Sequence, residues 1–85
     1  MKINEQVIYE KMGNEVYLNI EDDSFVLDNE VSIYIFDLLK VEQTPEGIKQ
    51  LVREKFPSTE EFTDEEKEEY IDEFLFVLQK NHIIH

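Results

Sequence analysis

Val16-Tyr17-Leu18-Asn19-Ile20, followed by Glu21-Asp22-Asp23-Ser24 and then Phe25-Val26-Leu27, is the stretch on which the fold turns. Its first five residues alternate. Val16, Leu18 and Ile20 fall on one face of an extended chain and Tyr17 and Asn19 on the other, because successive side chains of a strand point to opposite sides. The polar cluster Glu21 to Ser24 turns the chain, and Phe25-Val26-Leu27 returns as the next strand. Upstream, Val7-Ile8-Tyr9 is rich in β-formers, and Gly13-Asn14 is a turn signal before Val16. The three segments make a three-stranded antiparallel meander. Such a sheet is marginal alone and needs a helical layer over one face.

Beyond Leu27 the apolar spacing becomes helical. Asp28 or Asn29 can serve as N-cap by accepting the first orphan amide protons. Val31, Tyr34, Ile35, Leu38 and Leu39 then recur at helical intervals. The β-branched residues Val31, Ile33 and Ile35 would also suit a strand, but the cap and the length of the run favour a helix. A second helix opens with Thr44 as N-cap and Pro45 at the first helical position, where the missing N–H costs nothing. Ile48, Leu51, Val52 and Phe56 continue it until Pro57 blocks extension. The third helix begins at a capping box, Thr63-Asp64-Glu65-Glu66, in which hydroxyl and carboxylate satisfy backbone donors reciprocally. Its first-turn acids complement the helix dipole, as do Lys80 and His82 at the other end. Ile71, Phe74, Leu75 and Leu78 form its core stripe, Tyr70 and Val77 flank that stripe, and Phe76 points away. Asn81 is the expected C′ residue, after which Ile83 and Ile84 fold back on the core.

Composition bounds what such a chain does. Its 85 residues make a single domain, 1–85, with room for one core. Cysteine is absent, which excludes disulfides and thiolate chemistry. No basic-then-apolar signal segment opens the chain and no apolar run spans a bilayer, so a soluble, cytoplasmic protein is expected. The net charge of −13 argues against a phosphate backbone or an anionic membrane as partner and points instead to basic ones. Residues 57–73 alone hold nine acids and one lysine, mostly the solvated face of the third helix.

A search for catalytic groups finds none. Without cysteine and with both histidines, His82 and His85, at the C-terminal end, no nucleophile has a base beside it. The pair His82 and His85 lies in a terminal segment poorly suited to hold a metal. Glu21-Asp22-Asp23 lacks the spacing and the later glutamate of a calcium loop. Two glycines cannot build a phosphate cradle; Gly13 belongs to a turn and Gly47 to a helix's first turn. No enzyme, cofactor or metal is therefore expected. One feature does point to binding. Phe25-Val26-Leu27 ends the meander and carries no Lys or Pro to block its edge, so a partner strand can add there.

The ordered set of segments resembles a known family. Glu15-Val-Tyr-Leu-Asn-Ile-Glu-Asp-Asp-Ser-Phe-Val-Leu-Asp-Asn-Glu-Val-Ser-Ile-Tyr-Ile-Phe-Asp-Leu-Leu39 resembles the front half of the PqqD-like family, a strand, an acidic turn and a strand leading into a helix that closes on two leucines. Thr44-Pro-Glu-Gly-Ile-Lys-Gln-Leu-Val-Arg-Glu-Lys-Phe56 is similar to its second helix. Ile71-Asp-Glu-Phe-Leu-Phe-Val-Leu78, with Ile83-Ile84, is similar to its last. Two departures stand out. Gly47 replaces the more usual glutamate, and Asn81-His82 replaces the usual glycine before the final apolar pair. The resemblance implies an α+β, winged-helix-like fold, a three-stranded antiparallel sheet followed by three helices. It implies a recognition element for ribosomally made, later modified peptides, a peptide chaperone that binds the precursor's leader as an added strand. The precursor would be presented to a tailoring enzyme such as a radical SAM enzyme, a leader peptidase or a cyclase. By position, Ser24, Phe25, Val26 and Leu27 would make the strand contacts, and Tyr70, Phe74 and Val77 the groove. The acidic surface would meet Lys or Arg on leader or enzyme. The open edge leaves monomer or weak dimer as the expected state.

Two other readings compete. A winged-helix transcriptional regulator shares the fold, but its recognition helix should be basic, and here Lys49, Arg53 and Lys55 are offset by Glu46 and Glu54. An acidic adaptor or inhibitor of a basic protein needs no leader peptide at all.

Overall fold

The computed structural model describes residues 1–85. Three strands, β1 (Ile8–Met12), β2 (Glu15–Ile20) and β3 (Asp23–Leu27), form one antiparallel sheet in the order β1-β2-β3. Three helices follow, α1 (Glu30–Leu38), α2 (Pro45–Lys55) and α3 (Asp64–Lys80). This is the α+β, winged-helix-like arrangement expected.

β2 is the central strand, and its alternation decides which face is covered. Val16, Leu18 and Ile20 are buried, whereas Tyr17 is half-buried and Asn19 exposed. Directly opposite residues share a face, so the pairings Val16 with Leu27 and Leu18 with Phe25 put Leu27 and Phe25 on the covered side. Both hairpins turn through two residues. Gly13 has φ +64° and Glu21 φ +52°, each at the first central position, the sign pattern of a type II′ turn. The acidic turn is shorter than its composition implies. Asp23 and Ser24 belong to β3, paired with Ile20 and Asn19, because a tight turn lets the ladder begin at once.

Asn29, not Asp28, caps α1. Its Oδ1 accepts from the Ser32 N–H at 2.9 Å, and the buried Ser32 hydroxyl donates to the Asn29 carbonyl at 2.9 Å. Phe36, outside the spacing read from the sequence, is 1% exposed and meets Tyr9 of β1 edge-on at 5.1 Å. α1 touches both the sheet and α2, so it is buried over a wider arc than one stripe. α2 begins as expected, the Thr44 hydroxyl accepting from the Gly47 N–H at 3.0 Å, and it stops before Pro57.

α3 departs from expectation at both ends. Thr63 accepts from the Glu66 N–H at 3.2 Å, but the Glu66 carboxylate accepts from the Thr63 hydroxyl at 3.4 Å instead of reaching its backbone N–H. Only half of the capping box forms. At the other end Asn81 is the C-cap, with φ −96°, and His82 takes the left-handed φ of +62°. His82 N–H bonds the Gln79 carbonyl at 3.1 Å and Ile83 N–H bonds Leu78 at 2.9 Å, a Schellman closure displaced one residue from the expected site. It sends Ile83 and Ile84 into the core, where Ile84 bridges Ile3. The core is one cluster in which Ile35, Leu39, Ile48 and Val52 are completely buried.

Candidate functional site

The hydrogen-bonding direction along β3 follows from the register. With two residues in the turn, Ile20 and Asp23 form the closing hydrogen-bonded pair, and alternation then makes Leu18 with Phe25 and Val16 with Leu27 hydrogen-bonded too. The same count on the other hairpin directs Glu15, Tyr17 and Asn19 toward β1, so β2 is satisfied on both sides. Ser24 and Val26 are left with N–H and C=O aimed away from the sheet, and neither enters any other backbone bond. Their side chains lie on the uncovered face, where the Ser24 hydroxyl donates to Asn19 Oδ1 at 2.7 Å. Thus Ser24 and Val26 offer backbone, while Phe25 and Leu27 offer side chains on the helix side.

The mirror-image count leaves Tyr9 and Lys11 pointing out along β1. That edge is guarded: Lys11 stands on it, and the Lys40 ammonium lies 5.3 Å from the centre of the Tyr9 ring. β3 has no such guard.

α3 stands beside the end of β3. The Asn29 amide, two residues beyond Leu27, donates to the Tyr70 hydroxyl at 3.1 Å. Tyr70 stacks on Phe74, ring centres 5.9 Å apart and planes 11° apart, and both pack half-buried against the core. Val77, a turn further on, is 46% exposed. The structure therefore joins Leu27 to Tyr70 and Phe74 through Asn29, a residue that the sequence reading treated only as a cap. A side chain already assigned to capping gives no sequence signal that its amide also reaches a tyrosine 41 residues away. The open strip along β3 is not a cavity. A concavity of about 780 Å³ lies instead between the β1–β2 turn, α1 and the end of α2, lined by Lys11, Ile33, Tyr34 and Phe56 among others. An edge that accepts a strand needs no enclosed volume.

Apart from Glu65, the acids of α3 fall into two rows. Asp64, Glu68 and Asp72, four apart, each have a cation: Lys67 at 3.3 Å, Arg53 at 3.0 Å and Lys49 at 2.9 Å. The Asp72 bond raises the pKa of Lys49. The Ser58 hydroxyl, bonded at 2.7 Å, and then Lys67 hold the Asp64 carboxyl below its ordinary value. Lys67, the one lysine of the acidic run, is 2% exposed and also covers the Phe62 ring at 5.6 Å. Glu66, Glu69 and Glu73 have no cation, nor do Glu21, Asp22 and Asp23 at the start of β3.

The chain is thus an α+β domain, a three-stranded sheet with one unguarded edge beside an aromatic helix face. A solved structure with this fold is that of TbiB1 in complex with the TbiA(beta) leader peptide. It is similar to this chain with a TM-score of 0.80 at 24% identity, covering 100% of this chain and 95% of the other. That likeness establishes the fold. No protein-family model matches the chain, and no curated protein is significantly similar to it. No helix is long and apolar enough to cross a membrane.

Proposed function

We propose that residues 1–85 act as one PqqD-like domain that recognises the leader of a ribosomally synthesised precursor peptide and presents the rest to a tailoring enzyme, such as a radical SAM enzyme, a leader peptidase or a cyclase. The observation that carries this reading is the free edge of β3, where the N–H and C=O groups of Ser24 and Val26 have no partner. An extended leader would pair with those groups. Its inward side chains would rest on Phe25 and Leu27 from the strand and on Tyr70, Phe74 and Val77 from the helix. The dimensions agree: from Tyr70 to Val77 α3 rises about 10 Å, and from Leu27 to Ser24 β3 runs about 10 Å. Backbone pairing supplies affinity, and the groove sets register. The chain itself performs no chemistry in this reading. Its fold neighbour, solved with a leader peptide bound, supports the same assignment.

The test is an amide-resolved NMR titration with the leader of a small precursor encoded beside this chain's gene. Shifts at residues 24–27, with slowed exchange of the Ser24 and Val26 amides, are expected. Shifts confined to the exposed acidic side of α3 would overturn strand addition.

A further inference from the structure

The two acid rows of α3 differ in a way that bears on what the groove takes. Asp64, Glu68 and Asp72 each have a cation within the chain. Glu66, Glu69 and Glu73 have none, although side chains three and four apart on a helix are neighbours and like charges there repel. This second row borders the groove residues: Glu66 is four residues before Tyr70, and Glu73 four before Val77. Lys80, the only basic residue of α3 besides Lys67, lies two turns beyond Glu73. At the start of β3 stand Glu21, Asp22 and Asp23, equally unpaired. The open edge with its free Ser24 and Val26 groups is an independent sign of a strand ligand, and it has unneutralised carboxylates along one side and at one end.

We propose that the strand added to β3 is basic: an extended peptide whose helix-facing positions carry apolar side chains over Phe25, Tyr70, Phe74 and Val77 and, flanking them, Lys or Arg that reach Glu66, Glu69 and Glu73, with a further Lys or Arg near the 21–23 turn. This rests on the strand-addition reading above and adds the charge of the ligand to it. The carboxylates select against acidic and neutral strands and steer basic ones to the edge, an effect that fades as salt shortens the screening length from about 10 Å at 0.1 M.

The probe is a display library of random peptides panned on the full chain. The best-enriched peptide is then synthesised and its Kd measured at low and high salt. Four proteins are compared: wild type, Val26→Pro, the groove triple Glu66→Lys/Glu69→Lys/Glu73→Lys, and a remote triple of the same charge change, Glu5→Lys/Glu10→Lys/Glu54→Lys. Amide spectra confirm that each is folded. Enriched peptides are expected to be basic with alternating apolar residues. Their affinity should fall about tenfold or more in the groove triple, and by much less in the remote triple. Neutral or acidic winners, or equal losses in the two triples, would overturn the charge inference. If Val26→Pro abolishes binding while the groove triple binds normally, strand addition stands and the charge inference alone fails. If the groove triple matters and Val26→Pro does not, the peptide lies on the acidic surface without joining the sheet, and both readings fall. A library that enriches nothing overturns both as well.

Discussion

Ser24 and Val26 differ from Phe25 in which way their backbone groups point, and proline separates the two cases. Val26→Pro removes an N–H that faces outward on an edge strand, where proline is tolerated. The variant should fold, with a urea midpoint near that of wild type, and lose leader binding. Phe25→Pro removes an N–H committed to Leu18 and should cost about 2 kcal/mol or more in the same urea titration. Two other residues hold left-handed backbone without being glycine, Glu21 at φ +52° and His82 at +62°. Since that conformation costs a side-chain-bearing residue about 1–2 kcal/mol, Glu21→Gly and His82→Gly should each stabilise the fold. A net gain of about 0.5–1 kcal/mol is expected from urea unfolding, because glycine also loses more freedom on folding. The sequence marks the second site as a helix end, yet placing the strain on His82 instead of Asn81 needed the backbone.

Caps and ion pairs set the behaviour of individual elements. Gly47 reads from sequence as a helix defect that alanine would repair by up to about 1 kcal/mol. In place, it donates to the Thr44 hydroxyl at 3.0 Å, and an added Cβ would also lie 3.0 Å from that oxygen. Gly47→Ala should therefore gain clearly less than the propensity difference, read from thermal or urea unfolding. At the start of α3, Asp64 ties Ser58 to Lys67. Its carboxyl titrates below the ordinary value of 3.8 in the folded chain, so the stability it adds is present above that pH. That stability is lost as pH falls through the lower folded value. The urea-midpoint gap between wild type and Asp64→Asn should be full near neutrality and close below about pH 3.8. The comparison with Asp64→Asn removes the contribution of all other carboxylates. Element starts were legible because Asn29, Thr44 and Thr63 can each satisfy amides within their own first turn. Lys67 was not, because its burial depends on Phe62 and Asp64 closing over it.

Across the whole molecule, a charge of −13 on 85 residues opposes compaction. Only five ion pairs offset it, and most of their side chains are well exposed. Exposed pairs contribute little, so screening should relieve more repulsion than it removes attraction. Added sodium chloride is expected to raise the thermal midpoint; a midpoint that falls with salt would mean that the pairs outweigh the repulsion. The same salt should weaken binding of a basic leader. Stability and binding would then respond to one variable with opposite sign.

The amino-acid order settled the element succession, the meander, the covered face of β2 and the starts of α2 and α3, and it narrowed the cap of α1 to Asp28 or Asn29. Those features rest on neighbours within a few residues: side-chain alternation, turn-forming residues and cap hydroxyls or amides. It also marked Phe25-Val26-Leu27 as a bare edge, since the absence of Lys and Pro is visible in a string of letters. Tertiary structure decided the rest. The outward direction of Ser24 and Val26 follows from the count of pairs across β2. The burial of Phe36 follows from α1 lying between the sheet and α2, and the tie from Asn29 to Tyr70 from α3 returning beside β3. The separation of α3's acids into a paired and an unpaired row depends on where Lys49 and Arg53 of α2 come to rest. Each involves groups distant along the chain, whose meeting is determined by how the layers pack and not by any local pattern.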